Sequence, residues 1–593
     1  MTRAQIAGNI SSIMLRKSTP FILILIFCIV FSNLPSLGLA SPSPNGQMGT
    51  IDRTRELQQQ SEELQKKAQQ PHEATKAAEN APAETPEAPN APKMLVKTIN
   101  VTGVTLFSAA QIKAITGKFE NKELTLKGMQ KVADLITDLY RNKGYITSRA
   151  FIPPQKIANG VLEIKVIEAK VGTIQVKGNH YFSTHFIDGY VTMKKGDAFN
   201  YTDLKQDLQN VNEHSDLNVK AVLTPGETPG STDIILNEKD NLPLHVSIGY
   251  DNFLSYYLQR NEYVYTFTDN NLTGHGDILN FQYNRAVESD LYYYYSGRYT
   301  YPVTHKLDMG FFYSRSDMLL GRNLLSIQSS GESKMYSLFG SQKLIKNDNL
   351  ELDLKFGFDY KDVNNFLSGQ MSSRDYLRIP NIGFDFDRAD DYGRTIISDV
   401  FDYGVPGIMG GTKRDLDGND MPTSRAGASG SFALDTLNVL RQQRLPLDMS
   451  LLWKNQLQFS NSKLTETEEF QAGGPSNNRG FGPADVIGDR GYAMSWELAI
   501  PPYFIPKYCQ IPYFKVRTYD ALRFIAFYDW TNVHSNSVLP GENKNTTLGS
   551  AGCGARLNIL ENLYARYEIA WPVQNTSADG KSVHQWLQFT VTF

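Results

Sequence analysis

Arg479 is the residue of this sequence whose setting most suggests chemistry. It lies in Asn478-Arg479-Gly480-Phe481, within the stretch GGPSNNRGFGPADVIGDRGYAMSWEL at 473–498. Six glycines and two prolines are too many there for the interior of a strand or helix. Residues 451–458 and 492–500 on either side have strand character, so the arginine sits on a long loop between two strands. Conventional catalytic patterns are thin elsewhere. Ser476 has no histidine near it in sequence, and Gly-x-Ser-x-Gly is absent. Glu466, Glu468 and Glu469 read as a solvated loop rather than a catalytic carboxylate pair. His180 and His185 are five apart, with no third zinc ligand in view. No Gly-x-x-x-x-Gly-Lys-Ser/Thr loop occurs, so no nucleotide-driven step is expected. The expectation is a protein without catalytic residues, metal or cofactor, and not an enzyme.

The elements that must position Arg479 follow from composition and pattern. Lys and Arg number 59 against 62 Asp and Glu, so the net charge of −3 does not draw the chain toward nucleic acid. Tyr and Phe number 31 each, yet mean hydropathy is −0.36. A helical membrane protein would show several apolar runs of about 18 residues or more, and none occurs after residue 40. A transmembrane β-barrel fits better, because alternating lipid-facing and lumen-facing residues dilute the hydropathy.

Arg3, Arg16 and Lys17 precede an apolar run at 21–31, and Gly38-Leu39-Ala40 supplies small residues for cleavage. Residues 1–40 therefore read as a secretory signal peptide. Cys28 lies in it. Cys509, expected in a turn, and Cys553, expected partway up a strand, are expected to be free. Residues 50–70 lack Gly and Pro and are rich in Glu, Gln, Lys and Leu, which predicts a helix. Only Ile51, Leu57 and Leu64 are large and apolar, a poor stripe for a hydrophobic core but suited to a wet pore. Residues 71–93, rich in Pro and Ala, read as an extended linker.

An internal repeat follows. Ile99-x-Val101-x-Gly103 recurs as Ile174-x-Val176-x-Gly178, offset by 75 residues. Helices are expected at 108–116 and 126–143, then strands at 148–152 and 161–167. The second unit repeats the pattern, with helices near 182–193 and 201–212 and strands at 219–223 and 232–236. This β-α-α-β-β order, opened by I-x-V-x-G, resembles the POTRA (polypeptide-transport-associated) domain. Two α+β POTRA domains are placed at 94–169 and 170–239. The resemblance implies capture of unfolded client chains by strand addition to a sheet edge, where backbone hydrogen bonds ask little of sequence.

From 244 to 593 the chain reads as repeated amphipathic strands. The aromatic run at 291–297 has the density of a membrane-interface girdle. Leu563, Ala565, Tyr567, Ile569 and Trp571 form an apolar face opposite Tyr564, Arg566 and Glu568. The final residues put Leu587, Phe589, Val591 and Phe593 on one face. A C-terminal aromatic on a last amphipathic strand resembles the outer-membrane signature read by the barrel-assembly machinery.

Gly249-Tyr250-Asp251-Asn252, Asp269-Asn270-Asn271-Leu272-Thr273-Gly274 and Asp277 resemble the opening strands of two-partner-secretion transporters of the ShlB/FhaC/HecB type. The order of signal peptide, lone helix, linker, two POTRA domains and barrel resembles them too. The resemblance implies sixteen antiparallel strands and a plug-like helix. It also implies a sixth extracellular loop, about 461–490, folded into the lumen. That loop's V-R-G-Y/F hallmark appears here with Asn478 for Val. Its strand partner, F/G-x-D-x-G, appears as Phe527, Asp529 and Thr531, with Thr for the last Gly. By resemblance Arg479 pairs with Asp529. The implied function is export of a haemolysin-, adhesin- or haemagglutinin-like exoprotein across the Gram-negative outer membrane, with porin activity. The POTRA domains would lie in the periplasm, outer-membrane lipid would surround a monomeric barrel, and the barrel-assembly machinery would act in biogenesis. The alternative is an insertase of the related barrel-assembly family, whose members usually carry more POTRA domains and no plug helix.

Overall fold

The computed structural model describes residues 47–69, 92–157, 159–287, 291–347, 349–413, 422–538, 543–559 and 563–593. The expected signal peptide with Cys28, and residues 71–91 of the expected linker, lie outside the described residues. The chain divides into two units, one holding the first helix and the barrel, the other holding the two repeats.

The repeats are two small sheets backed by helices. In the first, β2 (Thr98–Thr102) runs parallel to β5 (Val161–Ile167), and β4 (Arg149–Phe151) lies antiparallel on its other side. Helices α2 (Ala109–Thr116) and α3 (Leu126–Arg141) pack on this sheet. Ser108 and Thr125 cap their starts, each hydroxyl accepting a backbone N–H. Met129, Val132, Ala133, Ile136 and Tyr140 form the buried stripe of α3. A short pair, β1 (Met94–Val96) with β3 (Lys122–Leu124), was not foreseen. The second sheet runs β6 (Lys170–Lys177), β8 (Ser231–Asp240), β7 (Leu217–Pro225), backed by α4 (Thr184–Tyr190) and α5 (Tyr201–Val211).

The I-x-V-x-G motif has a physical reason in both units. Ile99 pairs in register with Leu162 and Val101 with Ile164. Ile174 pairs with Ile234 and Val176 with Leu236. Gly103 and Gly178 close these strands at φ +82° and +95°. A Cβ at Gly178 would meet the Glu238 carbonyl oxygen at 2.6 Å, and one at Gly103 would strike the Val166 carbonyl. A second device also repeats. Glu168 accepts the Thr105 and Leu106 amides at 2.7 and 2.9 Å. Asp240 accepts those of His180 and Tyr181 at 2.8 and 2.6 Å.

The barrel is a closed antiparallel sheet of sixteen strands. It opens with β9 (Leu244–Asp251), β10 (Glu262–Asp269), β11 (Ile278–Ala286) and β12 (Tyr292–Thr304). It continues through β13 (Leu307–Leu319), β14 (Ser330–Asn347), β15 (Leu350–Leu367), β16 (Gln370–Asp390), β17 (Gly393–Gly404), β18 (Phe432–Arg444) and β19 (Ser450–Ser460). After a loop hairpin of β20 (Phe470–Ala472) and β21 (Val486–Gly488) come β22 (Arg490–Ile500), β23 (Leu522–His534), β24 (Asn545–Ile559), β25 (Leu563–Gln574) and β26 (His584–Thr592). Pairing of β26 with β9 closes the ring. Period-two burial runs along these strands: on β25, Tyr567 and Trp571 face out while Arg566, Glu568 and Ala570 are buried inside. Cys509, in the β22–β23 connection, and Cys553, on β24, are unbridged.

One aromatic stretch divides differently from a simple girdle. Tyr293 faces outward, but Tyr292 and Tyr294 are buried in the lumen against the first helix.

Candidate functional site in the barrel lumen

Helix α1 (Gln47–Gln69) lies inside the barrel, its side chains meeting lumen-facing groups around the wall. At about 1.5 Å per residue its 23 residues reach about 35 Å, enough to run the length of a membrane barrel. Near its start the Met48 amide donates to Asn365 Oδ1 at 3.2 Å. The Asp52 carboxylate accepts the Ser316 hydroxyl at 2.5 Å. Arg55 pairs with Glu262 at 2.9 Å and donates to the Tyr292 hydroxyl at 2.8 Å, its guanidinium lying over the Tyr294 ring. Glu56 meets Lys361 at 3.4 Å. Near its end Lys67 lies 3.6 Å from Asp387, and Arg394 donates to the Lys67 carbonyl. Apolar contact gathers mainly in two spots. Met48 and Ile51 pack with Leu254, Leu258 and Met318, and Leu64 packs with Ile396, Leu440 and Leu452.

The loop between β19 and β22 folds into the same lumen. Arg479, 2 % exposed, grips Asp529 with two parallel bonds, Nε to Oδ2 and Nη2 to Oδ1, both 2.8 Å. Its Nη1 reaches Glu497 at 2.9 Å and Glu568 at 3.3 Å, and Nη2 donates to Ser495 Oγ at 3.2 Å. The guanidinium stacks 3.4 Å from the centre of the Phe527 ring. Its own amide donates to Asp529, and its carbonyl accepts the Trp586 indole N–H at 2.7 Å. Arg556 completes the network, bonding Glu497 at 2.6 Å and Glu568 at 2.5 Å.

Asn478, Gly480, Phe481 and Thr531 surround this pair. Asn478 donates to Thr531 Oγ1 at 3.2 Å and accepts the Ser550 hydroxyl at 2.8 Å. The Gly480 amide donates to Ser550 Oγ at 3.1 Å, and a Cβ at Gly480 would collide with the Ser550 side chain and lie 3.0 Å from the Pro572 nitrogen. Phe481 is fully buried among Phe470, Ala472, Val486, Ala493, Val533 and Leu548. The loop and strand motifs are thus brought together. Ile99, Val101, Gly103, Ile174, Val176 and Gly178 belong to the other unit, and Phe589, Val591 and Phe593 lie on or just past the closing strand.

The glutamates at 466–469 do not form a solvated loop. Glu466, Glu468 and Glu469 are buried, because this part of the loop is tucked between helix and wall. Glu468 binds Lys361 at 3.0 Å, Glu469 binds Arg425 at 2.6 Å, and Glu466 accepts the Thr50 hydroxyl at 3.4 Å. Sequence reading also missed Glu497 and Arg556. Strand alternation puts both on lumen faces, a signal that charged inward positions close to an expected Arg–Asp pair could have raised.

An even-stranded closed barrel with aromatic outer positions and a buried polar lumen, occupied by a helix and an inward loop, defines a membrane-spanning transport barrel. Residues 230–537 match the profile of haemolysin secretion/activation proteins ShlB/FhaC/HecB, residues 94–169 the ShlB-type POTRA domain, and residues 169–225 the surface antigen variable number repeat, also a POTRA family. The chain belongs to the ShlB/FhaC/HecB family of two-partner-secretion outer-membrane transporters, with its barrel in the outer membrane and its POTRA domains in the periplasm. It is 25 % identical over 489 residues to the outer membrane transporter CdiB of Escherichia coli O6:K15:H31 (strain 536 / UPEC), covering 80 % of this chain and 82 % of that one. It is 21 % identical over 491 residues to the heme/hemopexin transporter protein HuxB of Haemophilus influenzae (strain 86-028NP), covering 82 % and 84 %. In fold it matches CdiB from Escherichia coli with a TM-score of 0.70 at 22 % identity, over 94 % of this chain and all of that one. It also matches BamA from Haemophilus ducreyi lacking POTRA domains 1–3, at 0.52 and 14 % identity, over 85 % of this chain and 100 % of that one.

Proposed function

We propose that this transporter captures one large unfolded exoprotein in the periplasm and passes it through the barrel after α1 leaves the lumen. The observation that carries the reading is how α1 is held. Many ion pairs and hydrogen bonds to the wall, beside a few apolar contacts of α1, make a stopper that water can re-solvate when it moves. Capture falls to the outer strands of the POTRA sheets, β2 or β4 and β6 or β7, whose edges can accept an added strand. The Arg479 cluster is proposed as the anchor that keeps the inward loop registered on β23 while the lumen empties. No nucleotide enters the cycle; folding of the client outside supplies direction. The domain limits given above, a monomeric barrel, and reading of Phe589, Val591 and Phe593 by the assembly machinery are part of the same proposal.

Depletion of this chain from its cell tests the reading. A large exoprotein should vanish from the culture supernatant and return with the intact chain. It should not return with a chain lacking 94–239 whose barrel still reaches the outer membrane. An unchanged supernatant with depleted outer-membrane proteins would instead favour the insertase.

A further inference from the structure

The connection from β22 to β23 is a flap with several exposed aromatic side chains. It lies at the periplasmic end of the barrel, because β22 descends from the inward extracellular loop. Residues 501–517, PPYFIPKYCQIPYFKVR, carry Tyr503, Phe504, Tyr508, Tyr513 and Phe514 with Lys507, Lys515 and Arg517, and no acidic residue. Phe504 is 75 % exposed, Tyr508 83 % and Tyr513 fully. A soluble surface rarely leaves so many large rings together in water.

The flap is built rather than loose. The Ile511 amide donates to the Val516 carbonyl at 2.8 Å and the Thr518 amide to the Cys509 carbonyl at 2.9 Å. The Tyr503 hydroxyl donates to the Leu447 carbonyl at 2.6 Å, and Lys507 binds Asp448 at 3.1 Å, tying the flap to the neighbouring β18–β19 turn. Tyr513 and Lys515 hold φ of +79° and +54°, a conformation unfavourable for bulky side chains.

Its position selects the partner. Phe504 packs on Phe524, ring centres 5.8 Å apart. Phe524 belongs to the outward face of β23, alternating with lumen-facing Ile525, Phe527 and Asp529. The flap therefore continues the lipid-facing belt instead of covering the pore. Aromatic rings with an apolar body and polar edge, interleaved with Lys515 and with Lys507 and Arg517 held on Asp448 and Asp520, match the headgroup zone of a phospholipid leaflet. We propose that residues 501–517 insert at the periplasmic leaflet of the outer membrane as an interfacial anchor, Tyr508 and Tyr513 at headgroup depth and Lys515 on lipid phosphates.

Spin-label accessibility in the full mature chain tests this, in proteoliposomes of phosphatidylethanolamine and phosphatidylglycerol. Cys509 and Cys553 are first replaced by Ser and Ala, and single labels are placed through Tyr508→Cys and Tyr513→Cys. Lys131→Cys in a POTRA helix serves as the aqueous reference and Leu338→Cys on the outer barrel face as the lipid reference. The anchor predicts that both flap labels lose most of their access to an aqueous nickel chelate and gain access to oxygen, falling between the references. In detergent solution without phospholipid the nickel access should rise. Nickel access equal to that of Lys131→Cys in the vesicles overturns the proposal. So does protection from nickel and oxygen alike, in vesicles and detergent, which would mean that protein covers the flap.

Discussion

Asn478 and Thr531 depart from the family hallmark together, and the structure joins them by a hydrogen bond of 3.2 Å. A polar pair has replaced an apolar residue and a glycine, and each side chain now depends on the other. Asn478→Val would take the donor from Thr531 Oγ1 and the acceptor from the Ser550 O–H, at a cost of about 1–3 kcal/mol for a buried unsatisfied group. The double variant Asn478→Val/Thr531→Gly should cost less than the sum of its parts, a coupling of order 0.5–3 kcal/mol read from thermal unfolding of the purified barrel. Strict additivity would contradict it. For the central pair, Arg479→Ala takes the bonded guanidinium from buried Asp529 and leaves Glu497 and Glu568 with Arg556 as their ion-pair partner. A loss of about 3–5 kcal/mol is expected, measured by the same unfolding. Arg479→Lys should be intermediate, because an ammonium cannot form the two-bond grip. The motif residues were legible in the sequence. Their partners Ser550 and Trp586 were not, because β24 and β26 lie far along the chain and their register is set only when the barrel closes.

The elements carry the next level of consequence. β8 buries Glu238, and its carboxylate oxygens have no hydrogen-bond partner among the described residues. Burial, with a smaller push from the Asp240 charge, raises its pKa from 4.5 to about 7. The folded state therefore holds the proton more tightly than the unfolded state between these values. The protonated form's contribution to stability is full below about pH 4.5 and is lost as pH rises through about 7. Glu238→Gln should slow amide exchange in β6–β8 at pH above 7 and change little below 4.5. A variant that stabilises equally at both extremes would refute this. The helix expected at 108–116 starts one residue later in α2, since Ser108 acts as its cap outside the helix, and the one expected at 126–143 ends at Arg141 in α3, where Asn142 is the C-cap. For α1, composition foretold a polar helix, but the apolar contacts of Met48 could not be seen because their partners come from distant strands. The hairpin of β20 and β21 was hidden by the glycines around it, which the inward fold requires: Gly473, at φ +111°, lies too close to the Gly482 carbonyl for any Cβ.

Across the whole barrel, outer positions are apolar and aromatic while inner positions pair charges with α1 and the inward loop. This division explains a chain with mean hydropathy −0.36 that nevertheless spans a membrane. Period-two alternation made the strands readable. The number sixteen came from resemblance, because alternation alone does not count strands through long loops. The wall contacts of α1 come from many strands between β10 and β19, so its release should be graded. Arg55→Glu sets a carboxylate against Glu262, and like charges there should raise the frequency of channel openings relative to the intact chain. Unchanged opening frequency would show that this contact does not hold the plug. The most direct measurement is single-channel conductance in planar bilayers, comparing the mature chain with one lacking residues 41–70. A removable plug predicts larger or longer openings from the shortened chain. Traces that are equally silent, or equally open, would contradict it.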